Sequence, residues 1–137
     1  MISLEFPLGI VLALVLASNM KGDTMKAILI NSKARIVHNV EIDGLEDMRQ
    51  LLECRTVAAP IELDNGDTVW IDDEGMYNPR DFFELEGYEP IAGNALIIGT
   101  TELGDNADCK TSVTEIDHGI LFIDLATLQL KYRLRTM

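Results

Sequence analysis

The chain has 137 residues, 47% of them hydrophobic, and a formal net charge of −12. That length and apolar content suit one domain with a core that needs no covalent staples, and argue against a disordered chain. About twenty carboxylates between Glu41 and Asp117 face only Arg49, Arg55, Arg80 and Lys110. Direct binding to nucleic acid or an anionic membrane is disfavoured, because no basic patch offsets phosphate repulsion.

Residues 1–24 differ in character from the rest. Phe6 to Ala17 is an apolar run holding Pro7 and Gly9, shorter than the ~20 residues of a membrane span. Ala13 to Ala17 offers the small residues of a signal peptide. No Lys or Arg precedes the run, however, and Glu5 stands where positive charge belongs. Met25-Lys26-Ala27-Ile28 reads as a natural start, a methionine followed at once by a strand. Lys21-Gly22-Asp23-Thr24 can be encoded by a purine-rich bacterial ribosome-binding sequence. Translation from Met25 is the first expectation; a signal or membrane anchor, and a packed helix, are the alternatives.

From Met25 the elements follow in order. Lys26 to Ile30 reads as a short apolar strand, Asn31-Ser32-Lys33 as a turn, and Arg35 to Ile42 as a half-buried strand completing a hairpin. The alternation puts Ile36, His38, Val40 and Ile42 on one face. His38 is read as a core-edge residue, since no nucleophile lies near it. Asp43 should cap a short helix, with Glu46 completing a capping box and Leu45, Met48, Leu51 and Leu52 facing the sheet. The helix should end near Cys54-Arg55-Thr56. Residues 57–75 read as a second hairpin, with Asn65-Gly66 supplying the positive φ angles of a two-residue primed turn. Its second arm holds the sole Trp, Trp70. Pro60 confines the first arm to an edge or an interruption.

Met76 to Arg80 is a turn. Asp81 to Pro90 reads as a helical turn or irregular cover packing Phe82, Phe83 and Tyr88 on the core. Ala95 to Thr100 is the continuous apolar run of a central strand buried on both faces. Thr101 to Lys110 is an acidic loop, and Thr111 to Asp117 begins a helix. Ala126, Leu128, Leu130, Tyr132 and Leu134 then alternate with Thr127, Gln129, Lys131, Arg133 and Arg135. This favours a strand with one basic face; a helix is the alternative, since Leu121, Leu125, Leu128 and Tyr132 also fit its period.

No phosphate loop, zinc spacing, nucleophile elbow or local Cys–His motif is present. No catalytic residue, cofactor or metal is assigned. Asp72-Asp73-Glu74, with Asp64 and Asp67 across the turn, offers the oxygen ligands of a Ca²⁺ or Mg²⁺ site. It lacks the interleaved spacing of a calcium loop, and consecutive strand side chains point to opposite faces. Those five residues are better read as a solvated acidic interaction edge. Trp70, Tyr77, Phe82 and Phe83 read as core before ligand patch. His118 reads as a loop histidine. Cys54 and Cys109 fit no metal or redox spacing, which suggests free thiols in a reducing cytoplasm.

Met25 to about Asp117 resembles the bacterial and phage family known as domain of unknown function 3846. The residues that carry the resemblance are Met25 to Ile30, Val40 to Glu46, Val69-Trp70-Ile71-Asp72-Asp73-Glu74-Gly75 with Asn78, and Ile91-Ala92-Gly93-Asn94 running on to Thr100. The resemblance implies a bacterial, phage or mobile-element origin, an intracellular protein, and a domain beginning at Met25. It brings no known activity and no catalytic residues.

The expected fold is α+β: a small, mainly antiparallel sheet in β-β-α-β-β-β order with one main helix packed on a face. The expected organisation is an N-terminal extension (1–24), one domain (25–117) and a C-terminal extension (118–137) forming a strand. The expected function is that of a small cytoplasmic accessory protein of a phage or mobile element. It would bind, without catalysis, a host or phage protein with a basic surface. Nucleic-acid mimicry is one version, and it requires carboxylates spaced regularly on one exposed face. The alternatives are a small-ligand protein or enzyme using Trp70 and Phe83 with Asp72, Asp73 or His38, and a protein anchored or exported through residues 1–24.

Overall fold

The computed structural model describes residues 24–75 and 81–135. The apolar N-terminal run, the expected turn at 76–80 and Tyr77 lie outside them. β1 (Met25–Asn31) and β2 (Ile36–Ile42) form the first hairpin in unbroken register, from Met25 opposite Ile42 to Asn31 opposite Ile36. α1 (Leu45–Leu52) follows, but its start differs from expectation. Gly44, with φ 98°, is the N-cap, and no side chain caps it. The positive φ at Gly44 turns the chain from strand to helix and leaves Asp43 one residue too early. Asp47 instead accepts a hydrogen bond from the Asp43 N–H at 2.7 Å. The apolar stripe is also narrower than expected: Met48 and Leu52 are buried, whereas Leu45 is 47% exposed.

β3 (Val57–Glu62) and β4 (Thr68–Asp72) form the second hairpin. Pro60 sits where the register shifts, between Ala58 and Ile61, on an edge strand. The turn is not the two-residue form. Gly66 donates to the Leu63 carbonyl and Leu63 donates to the Asp67 carbonyl, enclosing three loop residues. Gly66 alone among them has positive φ, as in a turn followed by a bulge. Asn65 is committed elsewhere: its Oδ1 accepts from the Asp67 N–H and its Nδ2 donates to Thr111.

β7 (Ala95–Thr100) is the central strand. Ala95 to Gly99 are buried, and β1 and β4 flank them. The main sheet runs β2-β1-β7-β4-β3, with the short β8 (Asn106–Ala107) also on β7. A second sheet, β6-β5-β9, is built from β5 (Asp81–Leu85), β6 (Ile91–Ala92) and β9 (Ile120–Asp124). Every strand pair is antiparallel. α2 (Val113–Gly119) precedes β9. It carries a complete capping box, with Ser112 and Glu115 bonding each other's backbone N–H.

Two segments correct the sequence reading. Residues 81–85 are a strand, because Phe83 and Leu85 face the main sheet while Phe82 faces the other way. Residues 125–135 are a helix, α3 (Leu125–Arg135), not a strand. Asp124 accepts from the Thr127 N–H at 2.7 Å at its start, and Leu125 and Leu128 dock on Phe82 and Ile123. The alternating Leu130 and Tyr132 remain exposed. Helical spacing, which brings Leu125 and Leu128 to one face, decides the element.

The layers follow from which side chains face where. On one face of the main sheet, Ala27, Leu29, Leu96 and Ile98 pack against Met48 and Leu52 of α1. On the other, Ile28, Ile30, Val69 and Ile97 pack against Phe83, Leu85 and Ile91 of the small sheet, and against Ile116 of α2. α3 covers the small sheet's outer face. The result is α+β, mainly antiparallel, with a helix across a face. Among the described residues no helix is long and apolar enough to cross a membrane.

Candidate functional site

At one end of the main sheet, the β1–β2 turn, the end of α1, the β4 exit, the start of β5 and the β6–β7 turn line a cleft of about 400 Å³. Its floor is a polar knot. Asn94 accepts from the Ser32 N–H (3.2 Å) and donates to the Leu51 carbonyl (3.1 Å). The Ser32 hydroxyl donates to the Gly93 carbonyl. The Gly93 N–H donates to the Asp81 carbonyl at 2.9 Å. One buried serine and one buried asparagine thus tie the β1–β2 turn, the end of α1 and the β6–β7 turn together. Gly93, at φ 82°, takes the left-handed backbone that this turn requires.

The walls are acidic. Glu53, Asp72, Glu74 and Asp81 line the cleft, and Lys33 is the one basic side chain lining it among the described residues. Asp72 Oδ1 accepts from the Glu74 N–H (2.8 Å), holding the β4 exit in a fixed turn. Arg55 forks onto Glu74 at 2.8 and 2.9 Å from behind. That hydrogen bonding strengthens the hold of the Arg55 guanidinium on its proton. Burial, then the Asp72 charge, pushes the nearby Cys54 thiol up from its ordinary value. A site with this surplus of carboxylates attracts cations and accepts hydrogen bonds. The Ser32 hydroxyl donates to the Gly93 carbonyl, and no histidine is among the described residues that line the cleft. Among the described residues no group of three His, Cys, Asp or Glu side chains is placed to hold a metal.

The five expected edge residues do not act together. Asp72, Asp73 and Glu74 stand at one end of β4. Asp64 stands past the other end, about 15 Å away by strand rise. Asp67 is fully buried. Its Oδ2 accepts from the Lys110 N–H, the Thr111 N–H and the Thr111 hydroxyl at 2.6–2.8 Å. It is a structural clamp between the hairpin turn and the segment entering α2. The aromatic patch also divides: Trp70 packs with the α1-side core and Phe83 with the opposite one. His38 is exposed on β2, separated from β4 by β1 and β7, about 14 Å across the sheet.

Exposed carboxylates are spread over the molecule. Glu46 and Glu53 lie at α1, while Glu115 and Asp117 lie on α2 across the sheet, with Glu86, Glu89 and Asp124 around the small sheet. They do not form a single regular array. Ser32, Glu53, Asp81 and Asn94 escaped the sequence reading as site residues. The sequence signals were the turn at Asn31-Ser32-Lys33 and the Gly93-Asn94 pair, which read as loops until their partners are known.

No curated protein and no solved structure matches the chain. The family described as a domain of unknown function (DUF3846) matches residues 25–121, from the first residue of β1 into β9, and the chain belongs to that family.

Proposed function

We propose that the protein is a small, non-catalytic binding module whose acidic cleft receives a Lys- or Arg-bearing segment of a protein partner. One observation carries this reading: Glu53, Asp72, Glu74 and Asp81 converge on a cleft with a fixed polar floor and one lysine at its rim. A preset cavity that needs little reorganisation favours recognition. The dispersal of the other carboxylates argues for this local site over nucleic-acid mimicry. The wider role, an accessory protein of a phage or mobile element acting in the host cytoplasm, is supported by the family resemblance and by the two free cysteines.

Calorimetric titration of the full chain with short Lys/Arg-rich peptides tests it. Binding should weaken steeply with salt. It should fall at least about tenfold in Asp72→Asn/Asp81→Asn. Peptide binding indifferent to that double substitution, or absent from the natural protein, counts against the cleft.

A further inference from the structure

We propose that β2 is a self-pairing edge, through which two copies of the chain join their main sheets antiparallel about a two-fold axis. The two edges of the main sheet are unlike. β3 is blunted by Pro60 and by its register shift. β2 pairs all seven of its residues with β1 without a break, and nothing among the described residues pairs with its outer side. A regular, proline-free edge of this length presents a row of unmet N–H and C=O groups.

The strand's charge pattern selects the occupant. Lys33 and Arg35 lie at its start and Glu41 near its end. An antiparallel copy sets unlike ends together; a parallel copy sets like ends together. Centring the axis on His38 places Ile36 opposite Val40 and brings Arg35, in the turn just before the strand, beside Glu41. Ile36 is 49% exposed. Val40 is half-buried against the α1-side core. Their pairing would extend that core across the axis. Arg35 also lies within electrostatic reach of Asp124, on the face that Glu41 shares. A second copy therefore fits the edge by hydrogen bonding, charge and apolar contact at once.

The test is sedimentation velocity of the full chain over a range of concentrations, with circular dichroism as the check on folding. The natural protein should form a concentration-dependent dimer. Glu41→Arg and Arg35→Glu should each weaken it about tenfold or more, because symmetry counts each pair twice. The double charge swap should restore it. Ile36→Lys, at an exposed position, should also dissociate it while leaving the fold intact. A monomer at every concentration overturns the proposal. So does a dimer that ignores all these substitutions, which would place the interface elsewhere, or a double swap that fails to restore pairing.

Discussion

Asp67→Ala removes the clamp between the β3–β4 turn and the segment leading to α2. The carboxylate is fully buried and accepts three hydrogen bonds through one oxygen, at 2.8, 2.8 and 2.6 Å. Its other oxygen finds no partner among the described residues. Bonds to a charged group contribute roughly 1.5–3 kcal/mol each, but three on one oxygen do not add fully. Removing the acceptor also leaves the Thr111 hydroxyl and two N–H groups without it, and each buried donor left unsatisfied costs about 1–3 kcal/mol. We therefore expect a loss of about 4 kcal/mol. With a urea dependence near 2 kcal/mol per molar, the unfolding midpoint should drop by about 2 M. Trp70, the sole tryptophan, reports the transition by fluorescence. Asp64→Ala, three residues earlier and exposed, should stay within about 0.5 kcal/mol of the natural protein. A midpoint for Asp67→Ala within about 0.5 M of the natural one would show that the carboxylate is not the clamp.

Two further outcomes follow from the core and the thiols. A Cβ at Gly99 would run into the Asp108 backbone carbonyl, so Gly99→Ala should cost about 3 kcal/mol or more in the same unfolding assay. Gly119→Ala meets only the Glu86 side chain at ordinary contact distance and should be nearly neutral; equal effects at the two positions would contradict the packing described. Burial, with Asp72 beside Cys54 and Asp67 beside Cys109, raises both thiols above their ordinary range. Each should stay protonated to higher pH than a free cysteine. Alkylation near pH 8, followed by mass spectrometry, should be slow until urea unfolds the chain. Labelling at the free-cysteine rate in the folded state would contradict that environment.

Much of the fold is legible in the residues. Ala95 to Thr100 reads as central because Ala95 to Ile98 are apolar without a break, and the strand is indeed covered on both faces. The β1–β2 hairpin and the edge position of Pro60 follow from alternation and from the missing N–H. Residues 81–85 are harder: Phe82 and Phe83 are adjacent and both buried, since a thin second sheet has a layer on each side, and alternation vanishes. In residues 125–135 two periods coexist. Only the docking of Leu125 and Leu128 on Phe82 and Ile123, a tertiary fact, selects the helix. Asp67 looks like any acidic turn residue until Thr111, over forty positions away, closes on it. The cleft was partly legible, through Asp72 and Glu74. Its floor was not, because Ser32 and Asn94 carry no local pattern that distinguishes them from loop residues.

The cleft's role is tested most directly by amide chemical-shift mapping of the full chain during titration with a Lys/Arg-rich peptide. The largest, saturable shifts are expected at Ser32, Asp72 to Gly75, Asp81, Gly93 and Asn94, abolished by Asp72→Asn/Asp81→Asn. Shifts spread evenly over the exposed carboxylates of α1, α2 and the small sheet, or confined to β2, would contradict it.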